Sequence, residues 1–147
     1  MISQIDSALQ DYLNRYGWDY VKKSDTLIAT GWQGEHRSFP LSIEITDTWV
    51  SFIVQPFLNL SIDWESWPEI ALLLLEMNER TSMAKFSKNC DGCIVLSLDV
   101  FAENLSFQIF SDVIGLVGYY AEILYDELLT NLDAVGFRYC ESLNILA

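Results

Sequence analysis

The chain has 147 residues, 51% of them hydrophobic and 14% aromatic. That composition excludes an intrinsically disordered segment and supplies enough apolar material for one packed domain, 1–147, without metal or disulfide staples. Eight Lys and Arg against 21 Asp and Glu leave a formal charge of −13, which argues against nucleic acid or an anionic membrane surface as partner and favours neutral or basic ones. The opening residues MISQIDSALQ lack the basic and apolar regions of a secretory signal. The longest unbroken apolar run, Ile70 to Leu75, is far below the ~20 residues of a membrane span. A soluble, cytoplasmic protein is expected.

Between Ser3 and Tyr16 the apolar residues Ile5, Leu9, Tyr12, Leu13 and Tyr16 recur at spacings of three and four, which predicts an amphipathic helix ended by Gly17. A strand follows over Thr26 to Trp32, with Gly31 and Gly34 marking its end. The next alternates strictly, Phe39, Leu41, Ile43 and Ile45 on one face and Ser42, Glu44 and Thr46 on the other. After Thr46-Asp47-Thr48 a third strand, WVSFIVQPF, completes a predicted antiparallel meander.

The period then changes from two to 3.6. Ser66 is the expected N-cap of a second helix, with Pro68 in its first turn and Glu69 at the positive end of its dipole. Ile70, Leu73, Leu74 and Met77 form its main stripe, and Leu72 and Leu75 widen the apolar arc beyond what one sheet face requires. Those two leucines are therefore expected to mark a homodimer or partner surface. Two β patterns around Asp91-Gly92 predict a hairpin with a two-residue turn, which places Cys90 and Cys93 opposite each other. A long final helix carries Phe107, Phe110, Ile114, Val117, Ala121, Leu124 and Leu128, with Asn104 or Ser106 as cap. Gly115 and Gly118 within it cost helix stability and suggest close packing against another element. The tail after Gly136 reads as a short docked helix. The sum is an α+β fold: a single antiparallel sheet, a three-strand meander plus a hairpin, in the order α-β-β-β-α-β-β-α, with three main helices mostly on one face.

Little in this pattern is catalytic. Cys90-x-x-Cys93 is the one Cys-x-x-Cys, but a redox pair needs its first thiol at a helix N-terminus, and here a strand follows. A structural zinc would need Cys90, Cys93, Cys140 and His36 together, and the last two stand alone without a second ligand pair. His36 lies in a predicted turn with no nucleophile elbow anywhere in the chain, and Glu122, Asp126 and Glu127 read as a solvated acidic face rather than metal ligands. No catalytic residue, metal or cofactor is expected. All five Trp lie within the first 67 residues. Trp64 and Trp67, together with Trp49, Phe52 and Phe57, are expected to line a peptide groove where the sheet meets the second helix. Glu44, Asp47, Asp63, Glu65 and Glu69 would form an acidic rim. The alternative, both indoles of the 64–67 loop folded into the domain's own core, is open on the sequence alone.

The segments FPLSIEITDTWVSFIVQPF and LLLLEMNERTSMAKFSKNCDGCIVLSLDVFAENLSFQIFSDVIGLVGYYAEILYDELL carry a likeness. In order and texture, over roughly residues 3 to 132, the chain resembles the type III secretion chaperone-like fold, in its YbjN-like branch. In similar proteins an Asn-containing turn precedes AKF, an acidic Gly turn joins the hairpin, and an aromatic-rich helix closes the fold. The resemblance implies a non-enzymatic adaptor or assembly chaperone, often homodimeric, that binds a peptide segment of a partner protein. Similar proteins are frequent in cyanobacteria, where one kind looks like an accessory factor gathering carboxysome shell components. A ligand-sensing regulator is the other role that this branch implies, and a Cys-x-x-Cys redox or zinc protein is the residual alternative.

Overall fold

The first helix, α1, runs from Ile2 to Tyr16. It stops where Gly17 turns left-handed at φ 79° and the Trp18 N–H reaches back to the Leu13 carbonyl, a position where a side chain would strain the backbone. The computed structural model describes residues 1–60, 66–134 and 139–140. Among the described residues seven strands form one antiparallel sheet: β1 Val21–Ser24, β2 Leu27–Gln33, β3 Ser38–Ile45, β4 Trp49–Leu60, β5 Lys85–Lys88, β6 Cys93–Phe101 and β7 Tyr139–Cys140. Their order is β1-β2-β3-β4-β6-β5, and β7 pairs with the end of β4 through Asn59 and Leu60. The hairpin therefore joins the meander through its second strand. The helix α2 covers Trp67–Glu79 and α3 covers Phe107–Ala134, preceded by a 3-10 turn at Ala102–Asn104.

The α+β class and the single antiparallel sheet agree with the sequence pattern; three details differ. The meander has four strands, because Val21–Ser24 adds an edge strand whose Lys22 and Lys23 mask any β pattern. Its charges suit an edge, where they discourage pairing with another chain. The tail is a strand at Tyr139–Cys140 rather than a helix, and the remaining residues of that expectation lie outside the described ones. The third difference is the turn of the cysteine hairpin, closed by Asn89 and Cys93.

Alternation decides the layers. Phe39, Leu41, Ile43 and Ile45 of β3, Val50, Phe52 and Val54 of β4, and Ile94, Leu96, Leu98 and Val100 of β6 are all buried under the helices. Pro56, which cannot donate to a ladder, sits where the β4–β6 register shifts between Val54 and Leu58. The shift leaves Phe57 fully buried. Leu9 and Leu13 of α1, Ile70, Leu74 and Met77 of α2, and nine residues of α3 from Phe110 to Leu132 complete one continuous core. Each fully buried Leu, Ile or Phe contributes about 1.5–3 kcal/mol. The other sheet face is more mixed, as in the cross-strand row Ala29, Ser42, Ile53, Ser97, where one aliphatic side chain stands among small and polar ones.

Polar ties fix the helices to the sheet. The Asn78 amide receives the Phe86 N–H at 2.6 Å and donates to the Phe86 carbonyl at 3.1 Å, so it stands in for a neighbouring strand at the edge of β5. Ser106 caps α3 by accepting the Ile109 N–H at 3.1 Å. Ser66 occupies the N-cap of α2 without a side-chain capping bond, with Pro68 at the helix start and Glu69 in the first turn.

Candidate functional site

The Cys-x-x-Cys segment is a three-residue hairpin loop rather than a two-residue one. Asn89 N–H donates to the Cys93 carbonyl at 3.0 Å, and the Asn89 side-chain oxygen accepts the N–H groups of both Asp91 and Cys93 at 3.0 Å. That side chain draws Asn89 into the closing position, so Cys93 faces Asn89 and Cys90 belongs to the loop. Only Gly92 has positive φ there, at 82°, and Asp91 does not; a type I′ turn would need both. Both cysteines are free thiols, Cys90 exposed and Cys93 half-buried. Burial raises the Cys93 thiol above its ordinary pKa, the Asn89 hydrogen bond lowers it, and the Asp91 carboxylate raises it again. A nucleophilic or metal-binding cysteine needs the opposite shift. Among the described residues, no group of three or more His, Cys, Asp or Glu could hold a metal ion.

Among the described residues, the aromatics expected to form a groove beside α2 do not converge. Phe52 and Phe57 are fully buried and present no surface; alternation and the β4 bulge turn both into the core. Trp49 lies at the start of β4 and stacks on Phe101 with ring centroids 4.5 Å apart, at the end of the strand far from α2. Trp67 is partly buried against the core with Lys88 over its ring at 5.1 Å. Trp64, Asp63 and Glu65 lie outside the described residues. Leu72 and Leu75 are 59% and 65% exposed on α2.

A different surface brings aromatic side chains together. Tyr16 at the end of α1, Trp18 in the following loop, Trp32 of β2 and the α3 positions Ile114, Gly115, Gly118, Tyr119, Glu122 and Ile123 line an open groove of about 440 Å³. The two indoles stack at 5.9 Å, and the stack continues inward from Trp32 to Phe39 at 5.1 Å and from Phe39 to Phe57 at 6.0 Å. The groove wall is thus anchored directly in the core. Tyr119 is 59% exposed and Ile123 45%. A Cβ at Gly115 or Gly118 would meet no atom within 4 Å, so these glycines are not sites of close internal packing. They form an open floor.

Polar ties close both ends. Tyr16 Oη and Ser111 Oγ are hydrogen-bonded at 3.1 Å. At the other end both Glu122 oxygens accept the Glu35 N–H at 3.2 Å, which docks the β2–β3 turn on α3. Gly34 makes this possible, since a Cβ there would clash with Glu122 and with the Arg37 carbonyl. One turn further on, His36 Nε2 lies 3.7 Å from Asp126. The β2–β3 turn thus meets two acids of the expected solvated face, Glu122 and Asp126, while Glu127 pairs with Arg80 instead.

The sequence reading missed this groove because its walls come from four separate elements. One signal was available: Gly115, Tyr119 and Ile123 lie at i, i+4 and i+8, a stripe off the core-facing positions of α3. No protein-family model and no curated protein matches the chain.

Proposed function

We propose that this chain is a non-enzymatic adaptor or assembly chaperone that binds a segment of a partner protein in the cytoplasm. The observation that carries the reading is the aromatic groove on the helical layer, which leaves Tyr119 and Ile123 in solvent although both are large and apolar. Aromatic anchors that are rooted in a rigid core and exposed at the tip carry binding energy with little conformational entropy to lose. The likeness to YbjN-like, type III secretion chaperone-like proteins supports the same role and extends it to carboxysome assembly as a proposed setting. The exposed Leu72 and Leu75 support a homodimer through α2 as a further part of this proposal.

A ligand-sensing regulator is the second reading, because about 440 Å³ falls within the size of small-molecule sites. Such sites enclose most of their ligand, and the exposure of Tyr119 and Ile123 favours a protein segment instead. Placing a bulky charge on the groove separates binding from folding. Tyr119→Arg keeps the buried face of α3 intact and should reduce capture of a purified partner more than tenfold, read by surface plasmon resonance. Undiminished capture would remove the groove from the account.

A further inference from the structure

The chemistry of the groove restricts what can lie in it. Among its lining residues Glu122 alone is charged, and the rest of the surface is aromatic, aliphatic or glycine. An extended segment pressed into such a surface would bury backbone N–H and C=O groups with few partners, at a cost of about 1–3 kcal/mol for each unpaired group. A helix satisfies those groups internally and presents only side chains. Strand addition at the sheet edges is disfavoured as well: β1 and β5 have four residues each, and between them carry Lys22, Lys23, Lys85 and Lys88. From Gly115 to Ile123 the floor of the groove is about 12 Å long at 1.5 Å per residue, room for two or more turns. The two glycines let a second helix approach the α3 backbone closely.

Charge selects further. Asp112 lies one turn before Gly115, and Glu35, Glu122 and Asp126 gather at the opposite end. No Lys or Arg lines the groove; of the seven described Lys and Arg, Arg15, Lys22, Arg80 and Lys85 pair with Asp11, Asp6, Glu127 and Asp99, and Lys23, Arg37 and Lys88 are not among the groove's lining residues. A second copy of this chain would bring another −13 charge to these acids, and its exposed leucine ridge on α2 is flanked by Glu76 and Glu79. Like charges would meet at the rim.

We infer that the groove of Tyr16, Trp18, Trp32, Gly118, Tyr119 and Ile123 receives an amphipathic helix of a different protein, with Lys or Arg flanking its apolar stripe. This rests on the partner-binding reading above and names its partner. The partner helix lies along α3, its small and aliphatic residues on the glycine floor and its cations over Asp112 at one end and Glu35, Glu122 and Asp126 at the other.

The test is a selection of random 16-residue peptides, displayed on phage, on the wild-type protein, with counter-selection on Gly118→Leu. That substitution fills the floor, and its Cβ points into open space. The expected binders repeat apolar residues at three and four with flanking Lys or Arg, gain helical circular dichroism on binding, and lose at least tenfold in affinity for Gly118→Leu. Binders that depend on the groove but are Pro-rich, strand-patterned or acidic would overturn the helix inference and leave the groove reading standing. If Gly118→Leu folds normally and the counter-selection on it removes every binder of the wild type, the groove reading and the inference fall together. Gly118→Ala serves as a second, milder filling should the leucine variant fail to fold. A wild-type protein that sediments as a dimer, and as a monomer once Gly118 is replaced, would assign the groove to a second copy and overturn the inference.

Discussion

Two of the apolar surfaces that the helical layer exposes differ in relief. On α2, Leu72 and Leu75 project from a convex ridge with Glu76 and Glu79 alongside. On α3, two glycines lower the surface between walls of Trp18, Trp32 and Tyr119. The ridge gives any flat apolar surface somewhere to rest, including its own symmetry mate. The groove admits only what fits its width and tolerates its acidic ends. Apolar exposure by itself is common on protein surfaces, and it is the relief that would make binding there selective.

The largest expected effect breaks the root that the groove shares with the core. Phe57 packs against Phe39, Phe86 and Tyr125 at centroid distances of 5.2 to 6.0 Å, so Phe57→Ala should destabilise the fold by about 3–5 kcal/mol in urea unfolding. A loss below about 1 kcal/mol would show that the groove walls stand independently of the aromatic stack. The ridge should respond differently. Leu72→Glu places charge on a side chain that makes no core contact, and light scattering should report a smaller species with unchanged melting temperature. A wild type that is monomeric at high concentration would remove self-association from the ridge. Smallest is the hairpin: Cys90→Ser/Cys93→Ser should leave stability within about 0.5 kcal/mol, since neither thiol is bonded to the other. In the wild type, alkylation at neutral pH should favour Cys90, because Cys93 is half-buried and holds its proton. Its folded-state pKa is raised, so what stability this proton contributes is present below the unfolded thiol pKa and is lost as pH rises through the folded one. Rapid modification of Cys93 at neutral pH would contradict that environment.

Legibility in the sequence follows the range of the interactions. Period and punctuation are local, so the Gly17 stop of α1 and the alternation of β3 were readable directly, and the cap of α3 was narrowed to Asn104 or Ser106, of which Ser106 makes the bond. The lysine-rich edge strand Val21–Ser24 was not, because an edge favours residues that strand patterns count against. At the hairpin a side chain four residues from Cys93 chose the turn: Asn89 supplied acceptors that Asp-Gly statistics do not weigh. The groove was least legible. Trp clustering pointed to the right half of the chain but to the wrong neighbours, since Phe52 and Phe57 turned inward while Trp18 and Trp32 share a groove with Tyr119, far away in sequence. The glycines of α3 gave the clearest local hint, and their cost to the helix marks the open surface rather than a packed one.

The central claim is that partner binding resides in the groove and not on the ridge. Surface plasmon resonance of one purified partner against wild type, Tyr119→Arg and Leu72→Glu, each checked for folding by far-UV circular dichroism, tests it most directly. The account predicts at least a tenfold loss for Tyr119→Arg, about 1.4 kcal/mol, and less than a twofold change for Leu72→Glu. Full affinity in Tyr119→Arg with loss in Leu72→Glu would contradict it and move the binding site to α2.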